Sequence, residues 1–294
     1  MGQANDRLEP PERLVRAAGA TEGARQWLAG LPMTAQEYLE RWELTPERVQ
    51  TPGGRSSMAV LARCADGTPA VLKLALPDGR AGAELAALEH WNGFGAVRVL
   101  RAEPEAGALL LERLHGDVSL RSLPEQKALL EASATLQRLW VAPPAGSPFP
   151  SVDARTAALA EELRADTWAV EARSLVDEAL EVRDALAGGE PGALLHGDYC
   201  QGKVLAADRT PWLAVSPRPL VGDRAYDLAS LVRDRADTLL ASPGAAAIAR
   251  RRIAKLADSL DVDRERLRGW ALFRSVETGV RERNEMLLEF AALL

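Results

Sequence analysis

The stretch Leu194–Leu205, LLHGDYCQGKVL, holds the densest group of chemically capable side chains in this sequence. Two short apolar runs, Leu194-Leu195 and Val204-Leu205, enclose it, and bounded runs of this kind favour strands. Between them lie a histidine, an aspartate and a lysine. The segment is therefore predicted to be a loop between two short apolar elements, with the polar side chains on the loop.

The order of residues in this loop resembles the catalytic loop of kinases. That loop reads His-x-Asp and then, five residues after the aspartate, an asparagine whose carbonyl oxygen binds Mg²⁺. His196, Gly197 and Asp198 fit the pattern, which implies Asp198 as the general base, but the asparagine position holds Lys203. A lysine ammonium has three donors and no acceptor, so it cannot bind a metal ion.

A second departure lies in the next apolar run, WLAVSPRP, from Trp212 to Pro219. Kinases place their other metal-binding acid after such a run. Here the position holds Ser216, whose hydroxyl is a poor magnesium ligand beside a carboxylate. Because both protein-supplied metal positions are changed, no metal site is predicted and magnesium is not expected as a cofactor. ATP stays a possible ligand.

The chain around these motifs resembles the streptomycin and hydroxyurea phosphotransferases, a branch of the aminoglycoside phosphotransferase superfamily. That branch reads HGD-L-H-x-G-N-V-L-A, then I-D-P-K-P, then V-G-D-P-A-Y-D-L-A, where this chain has HGDYCQGKVLA, VSPRP and VGDRAYDLA. The resemblance continues through PERL (11–14), WLA (27–29), RWEL (41–44), DGTPAVLKL (66–74) and GALLLERL (107–114). It implies an α+β, bilobal, protein-kinase-like fold. A small antiparallel-sheet N-lobe would span 1–113 and a mostly helical C-lobe 114–294.

Composition excludes several other classes. The 294 residues are 47% hydrophobic and carry a net charge of −6, which is ordinary for a globular protein. No apolar run approaches the ~20 residues that span a bilayer, and the first residues lack a signal-peptide pattern, so a cytoplasmic location without a membrane partner is expected. No basic patch stands out, so nucleic acid is not an expected partner. The two cysteines, Cys64 and Cys200, make no disulfide framework.

Periodicity in the first part of the chain predicts helices and then a small sheet. Residues 8–46 show helical spacing, with Pro32 ending one helix and Thr34 capping the next. Five strands and one helix are then predicted: a strand beginning at Val49, Met58–Cys64, Val71–Ala75, a helix from Gly79 to Trp91, Val97–Arg101 and Ala108–Glu112.

The rest of the chain is predicted to be mainly helical. The predicted helices cover 124–140, 152–187, 225–240, 244–259 and 263–292, with loops at 143–148 and 188–192.

Lys73 lies in the third predicted strand. The kinase resemblance implies that it contacts the nucleotide phosphates and pairs with Glu84 in the next helix. Read without the resemblance, a surface lysine and a solvated glutamate explain the same residues. Ser56 and Ser57 would belong to a turn that covers the phosphates, although a Gly-Gly hairpin is usually only a turn.

Glu112 and Leu114 follow the fifth strand, where kinase hinges offer backbone groups to adenine. Their side chains indicate little, because any hinge sequence could serve.

Lys203 has three interpretations. It is a solvated surface lysine, or it lies where the metal would lie and pairs with Asp198 or a phosphate, or it is a desolvated amine that acts as base or nucleophile. Of these three, pairing with Asp198 or a phosphate is the favoured interpretation, and the desolvated amine is the least favoured one. Asp198 is either an acid–base group or a residue held for loop shape. Asp227 is predicted to be structural, accepting backbone hydrogen bonds from the loop, and Cys200 to be a packing residue.

The final helix, from Trp270 to Leu294, would line the acceptor side by family analogy, with Glu277 and Arg281 as ligand-binding candidates. The alternative is a solvated charged face.

Three functions stay open on this basis. The favoured one is a degenerate phosphotransferase whose interlobe cleft binds a small molecule or performs chemistry other than phosphoryl transfer, in antibiotic resistance or specialised metabolism. The second is a working ATP-dependent small-molecule phosphotransferase. The third is a regulatory pseudokinase that acts by protein contact and would need an exposed apolar patch.

Overall fold

Two compact units divide the chain, and the computed structural model describes residues 8–18, 21–168, 171–188 and 192–294. The N-terminal unit contains the described residues up to Val118 together with Leu205–Val215. The C-terminal unit contains Ser119–Val204 and Ser216–Leu294. Residues 114–118 and 205–215 thus belong to the N-terminal unit. The predicted division into lobes of 1–113 and 114–294 stays a prediction. Within the described residues, no helix combines the length and apolarity needed to cross a membrane.

Helix α2 (Glu22–Arg41) follows the short helix α1 (Glu12–Ala18) and runs through Pro32 without a break. The prediction that Pro32 ends a helix and Thr34 caps another is therefore wrong. An internal proline removes one backbone donor. The helix persists because its buried face continues across the proline, through Leu28, Leu31 and Ala35. The Thr34 hydroxyl instead donates to the carbonyl of Gly30, at 3.2 Å.

A five-stranded antiparallel sheet in the order β1-β2-β3-β5-β4 forms the centre of the N-terminal unit. All five predicted strands are present, but the first one ends at Val49 instead of beginning there. Its residues, TPERV, are almost all exposed and show no alternation that a sequence pattern could reveal. The strands are β1 (Thr45–Val49), β2 (Ser57–Arg63), β3 (Pro69–Ala75), β4 (Val99–Glu103) and β5 (Ala108–Glu112).

Side chains of β3 alternate between the two faces of this sheet. Leu72 and Leu74 are buried in the same core as the apolar face of α2. Lys73 lies between them in sequence and so points to the opposite face. Helix α3 (Arg80–Trp91) covers that face, which places Glu84 beside Lys73. After β5 the chain continues into β6 (His115–Ser119).

The C-terminal unit is built around one long helix, α10, which contacts helices α6, α7, α9 and α11 of the same unit. The helices are α4 (Glu125–Leu139), α5 (Val152–Ala165), α6 (Arg173–Leu186), α7 (Arg224–Arg233), α8 (Ala236–Leu240), α9 (Ala245–Leu260), α10 (Arg264–Glu282) and α11 (Glu285–Ala291). The described part of α10 from Gly269 to Val280 is buried throughout.

Four short strands lie between α6 and α7. They are β7 (Ala193–Leu195), β8 (Val204–Ala206), β9 (Trp212–Ala214) and β10 (Leu220–Gly222). Strands β7 and β10 form an antiparallel pair in the C-terminal unit. Strands β8 and β9 join β6 in a three-stranded sheet, in the order β6-β8-β9.

Three helices predicted as continuous are each divided in two. The first breaks where the Asp166 carboxylate accepts the backbone N–H of Trp168, at 2.7 Å, in a local turn. The other two break at Arg235 and Arg283, which adopt left-handed backbone conformations with φ 57° and 52°. Residues 169–170 of the first prediction and 189–191 of the predicted loop lie outside the described residues.

Candidate functional site

The loop after β7 is anchored by a carboxylate from the first turn of α7. Asp227, fully buried, accepts the backbone N–H groups of His196 at 2.7 Å and Gly197 at 2.8 Å. The predicted structural role of Asp227 is confirmed. Burial raises the pKa of Asp227 to about 6, although Arg274 and the two backbone donors oppose that shift.

The glycine of the His-Gly-Asp motif is required by its surroundings. Gly197 has φ 76°, a left-handed conformation, and a Cβ there would lie 1.9 Å from the carbonyl oxygen of Arg218. No other residue fits without moving the backbone.

Arg274, on α10, also donates to this loop, and sequence analysis missed it. Its guanidinium donates to the carbonyls of Tyr226 at 2.8 Å and Gly197 at 3.2 Å, and it lies over the Tyr226 ring, 4.4 Å from the centroid. An apolar helical pattern around it predicts only a core helix. The one signal in the sequence was an arginine within this apolar pattern, where a charged residue is uncommon.

Lys203 lies against Asp198, as predicted. Its ammonium donates to Oδ2 of Asp198 and, at 3.3 Å, to the backbone carbonyl of Ser216. The Nε of Arg218 is 3.4 Å from the same Asp198 oxygen. The surface interpretation of Lys203 is wrong, because its side chain is only 26% exposed and is committed to a carboxylate. The interpretation of Lys203 as a base or nucleophile stays a prediction.

Charge neighbours decide the ionisation of Asp198. Burial alone would raise its pKa, but Lys203, followed by Arg218 and Arg274, outweighs burial and lowers the pKa of Asp198 to about 2. The group is therefore a carboxylate throughout the physiological pH range.

The turn that carries Lys203 is fixed by groups that sequence analysis did not single out. Asp234 accepts the backbone N–H of Gln201 at 2.6 Å, and Arg235 donates to the Gln201 side-chain oxygen at 2.8 Å. The same Arg235 donates to three backbone carbonyls, those of Leu120, Arg121 and Leu123. This hydrogen-bond network, in addition to the local backbone of the turn, holds Lys203 in position.

A magnesium ion does not fit the residues that the resemblance assigns to it. The asparagine position supplies the Lys203 ammonium, which already donates to Asp198. Ser216 offers Lys203 its backbone carbonyl, and its backbone is left-handed, with φ 56°. A cation of the protein thus lies among the oxygens that a metal would need.

Glu277 and Arg281 form an ion pair on α10. Glu277 is buried, so the solvated-face alternative is wrong for this residue, whereas Arg281 is exposed. The second oxygen of Glu277 accepts the hydroxyl of Thr278 at 3.0 Å, and that hydroxyl also accepts from Arg233 at 2.7 Å. Their role in ligand binding stays a prediction.

Cys200 agrees with its predicted packing role. Burial, and then the charge of Asp234, raises the pKa of the Cys200 thiol, so the thiolate needed for reactivity is disfavoured.

The N-terminal unit contains the other predicted ion pair. Lys73 donates to both carboxylate oxygens of Glu84, each at 2.6 Å, and both side chains are 8% exposed. The alternative of a surface lysine and a solvated glutamate is wrong.

The remaining nucleotide-site candidates are less distinctive. The Glu112 carboxylate is occupied by Arg209 and by the backbone N–H of Arg98, at 2.8 Å each. Leu114 is buried, Ser56 is exposed, and Ser57 begins β2. Their contacts with adenine or phosphates stay predictions.

We expect Glu84→Ala to destabilise the N-terminal unit by about 3–5 kcal/mol, because it strips the carboxylate from a buried ammonium. Chemical denaturation followed by circular dichroism measures the change. The double variant Lys73→Met/Glu84→Leu should recover most of it, since no buried charge then remains. Glu37→Ala is the matched control: its ion pair with Arg41 is exposed, and it should change stability by under about 0.5 kcal/mol. Equal effects at residues 84 and 37 would contradict the prediction.

Solved structures define the class of fold. The chain is similar to a choline kinase from Streptococcus pneumoniae, with a TM-score of 0.65 and 13% identity over 89% of this chain and 99% of that one. It is also similar to a type I macrolide 2'-phosphotransferase, with a TM-score of 0.56 and 16% identity over 89% of this chain and 96% of that one. The predicted α+β, protein-kinase-like fold is confirmed.

Sequence comparison then gives the family. The profile of the "Aminoglycoside/hydroxyurea antibiotic resistance kinase" family matches residues 41–285. The chain is 36% identical over 282 residues to streptomycin 6-kinase from Streptomyces glaucescens, covering 93% of this chain and 90% of the relative. It is 36% identical over 281 residues to hydroxyurea phosphotransferase from Kitasatospora aureofaciens, covering 92% and 79%. The chain therefore belongs to the aminoglycoside/hydroxyurea antibiotic resistance kinase family, the branch that its motifs resemble.

Proposed function

We propose that this family member binds a small molecule in its C-terminal unit without magnesium-dependent phosphoryl transfer, in antibiotic resistance or specialised metabolism. The observation that carries the proposal is the Lys203 ammonium, which donates to the Asp198 carboxylate and the Ser216 carbonyl. A fixed cation of the protein replaces an exchangeable one. Any reaction at this site is then one other than phosphoryl transfer from ATP.

The lysine ammonium and a magnesium ion differ in the ligands that each can bind. Magnesium accepts about six oxygen ligands in octahedral geometry and can bridge two phosphate oxygens. An ammonium carries one charge and three hydrogen-bond donors. Lys203 can therefore neutralise Asp198 and orient an acceptor group, but it cannot hold two phosphates in line for transfer.

Asp198 is also poorly suited to take a proton. A general base works best when its pKa is near the working pH. Lys203 and Arg218 contribute to a pKa of about 2 for Asp198, which makes the carboxylate a weak base at neutral pH. Binding and orientation are better supported roles for this residue than proton abstraction.

An active ATP-dependent phosphotransferase is the second candidate. The buried Lys73–Glu84 pair and the 36% identity to streptomycin 6-kinase favour it. In that case Lys203 would have to leave Asp198 before a metal ion could bind.

The two candidates are separated by assaying the full chain with ATP, Mg²⁺ and either streptomycin or hydroxyurea. We expect no magnesium-dependent ADP release above that of an Asp198→Asn variant, and equal ATP affinity by calorimetry with Mg²⁺ and with EDTA. Streptomycin 6-kinase from Streptomyces glaucescens is the positive control. Rapid phosphorylation of either compound by this chain would overturn the proposal.

We expect Lys203→Met to raise the pKa of Asp198 above its ordinary value of 3.8, because the burial that raises it loses its main opposing charge. Carboxyl ¹³C shifts in an NMR titration report this pKa. In the parent chain the folded-state value is lowered, so Asp198 contributes stability above about pH 4 that is lost as pH falls toward 2. The Lys203→Met variant should lack that acid-side loss. Lys255→Met, at an exposed position on α9, should change neither quantity.

A further inference from the structure

The α7–α8 junction consists of two residues, Asp234 and Arg235, whose side chains both hold Gln201. Asp234 accepts the backbone N–H of Gln201 at 2.6 Å, and Arg235 donates to its side-chain oxygen at 2.8 Å. Gln201 is fully buried and begins the 3₁₀ turn that ends at Lys203. The N–H of Lys203 donates to the carbonyl of Cys200 at 2.9 Å, which closes the turn. The junction therefore fixes the start of the turn whose end carries the ammonium.

A buried arginine on α9 holds the backbone of the same junction. Arg252, whose side chain is 3% exposed, donates to the carbonyls of Val232 and Asp234, at 2.7 Å each. It also forms an ion pair with Glu125 in the first turn of α4. One guanidinium thus connects α9, the end of α7 and the start of α4. A lysine ammonium lacks the planar fork that makes these bonds together.

The backbone of the junction is strained at Arg235. Its φ is 57°, and a left-handed conformation of this kind costs a residue other than glycine about 1–3 kcal/mol. It persists only where the surrounding contacts determine it. Arg252 holds the carbonyl just before it, that of Asp234. The Arg235 guanidinium donates to three carbonyls of the segment before α4, those of Leu120, Arg121 and Leu123. The strain therefore lies where the junction supports the turn.

We propose that Arg252 and Glu125 are positioning residues that act through the α7–α8 junction and Gln201 to keep the Lys203 ammonium on Asp198. The inference deepens the proposed function and rests on it, since that function gives the place of a metal ion to Lys203. In the family motif HGD-L-H-x-G-N, Gln201 occupies the unspecified position, so the motif by itself does not supply this connection. Each step of the connection is a hydrogen bond or an ion pair within the C-terminal unit.

The pKa of Asp198 reports where the Lys203 ammonium lies. Burial raises this pKa, and the charges of Lys203, Arg218 and Arg274 outweigh burial and lower it to about 2. Of these three cations, only Lys203 lies on the turn that Gln201 begins. Release of the turn therefore raises the pKa, because burial then loses part of its main opposing charge. A loss of global stability alone leaves the pKa of the folded protein unchanged.

Carboxyl ¹³C shifts and amide hydrogen exchange on the full chain test the proposal. We expect Arg252→Lys to raise the pKa of Asp198 from about 2 toward its ordinary value of 3.8. Exchange at the Lys203 amide should accelerate by about tenfold, the effect of one lost hydrogen bond. Gln201→Met, which removes the acceptor of Arg235 at similar volume, should do the same. The double variant should show no larger pKa change than the greater single one, since both act through one connection.

Two control variants separate positioning from packing. Leu256→Ala, one turn further along α9 from Arg252, removes buried apolar contacts only. Thr156→Val removes a buried hydroxyl that accepts from Nε of another arginine, Arg183, at 3.2 Å. Both should leave the pKa of Asp198 at about 2. Urea unfolding of each variant shows that it is folded and how far its stability has changed.

A higher pKa of Asp198 in the Arg252 and Gln201 variants, but in neither control, supports the proposal. An unchanged pKa in folded Arg252→Lys overturns it, and so does an equal rise in Leu256→Ala. If Arg252→Lys does not fold, Glu125→Ala takes its place, and an unchanged pKa there overturns the proposal too. Additive changes in the double variant contradict a single connection. Magnesium-dependent phosphorylation by the parent chain refutes the proposed function but leaves these pKa changes intact, so the two failures are distinguishable.

Discussion

The double substitution Lys203→Asn/Ser216→Asp is expected to create a magnesium site and to raise ATP-dependent phosphoryl transfer by roughly two orders of magnitude or more. It removes the ammonium that donates to Asp198 and supplies a carbonyl and a carboxylate oxygen in its place. Oxygen ligands of this type are those that Mg²⁺ prefers. Freed from Lys203, Asp198 also becomes a stronger base.

Local backbone geometry favours the second of these changes. Ser216 has φ 56°, and aspartate adopts this left-handed region more readily than most residues. The variant is therefore expected to fold without added strain at this position.

Calorimetry with Mg²⁺ and an ADP-release assay with streptomycin or hydroxyurea measure the gain. Each single variant should show little gain in activity. Ser216→Asp alone keeps the Lys203 ammonium, and Lys203→Asn alone supplies no carboxylate at position 216. Lys255→Asn, at an exposed position on α9, serves as the surface control. If the double variant folds but neither binds magnesium nor turns over ATP, these two positions do not decide magnesium binding and the prediction is wrong.

Asp227→Ala is expected to destabilise the C-terminal unit by about 2–6 kcal/mol, since each of the two buried donors it leaves unsatisfied costs about 1–3 kcal/mol. It leaves the backbone N–H groups of His196 and Gly197 without their acceptor in a fully buried place and removes a carboxylate whose charge interacts with that of Arg274. Urea unfolding measures the loss, and amide hydrogen exchange at His196 and Gly197 should accelerate. The control is Asp258→Ala, whose ion pair with Arg264 is exposed and should contribute under about 1 kcal/mol.

The pH dependence of this residue has a definite sign. The folded-state pKa of Asp227 is raised to about 6 from 3.8, so the folded protein binds the proton more tightly than the unfolded chain. Its contribution to stability is therefore greatest below about pH 4 and is lost as pH rises through 6. An Asp227→Asn variant should not show this decline. If the stability of the parent chain and that of the variant change in parallel with pH, ionisation of Asp227 in the folded protein costs no free energy and the prediction is wrong.

The Lys73–Glu84 ion pair shows how much sequence alone can decide. Lys73 and Glu84 are eleven residues apart, on a strand and the helix that follows it. Because a strand alternates its faces, a lysine between two buried leucines must point to the opposite face, and the next helix covers that face. Their contact was predictable since local periodicity and chain connectivity together determine it. The same holds for Asp227, whose place at the start of a helix suits it to accept backbone donors.

The helix boundaries show where local pattern fails. Pro32 does not interrupt α2, because burial on both sides of it outweighs one lost hydrogen bond. Arg235 and Arg283 do interrupt helices, although arginine is a good helix former, since their backbones are left-handed. Packing of distant segments, which single-sequence propensity does not register, decides both outcomes.

The sequence by itself determined the family fold, the five-stranded sheet, and the presence of Lys203 and Ser216 where the motif of the family has asparagine and aspartate. Tertiary structure alone decided what surrounds Asp198. Arg218 comes from the segment before β10 and Arg274 from α10, and each resembles any other arginine in a chain with 36 basic residues. Their charges act through distances of a few ångströms, which folding creates and which spacing along the chain does not encode. The residue identities are therefore fixed by the sequence, whereas the cations around the Asp198 carboxylate come together only when the turn that carries Lys203, the segment before β10 and α10 fold against one another.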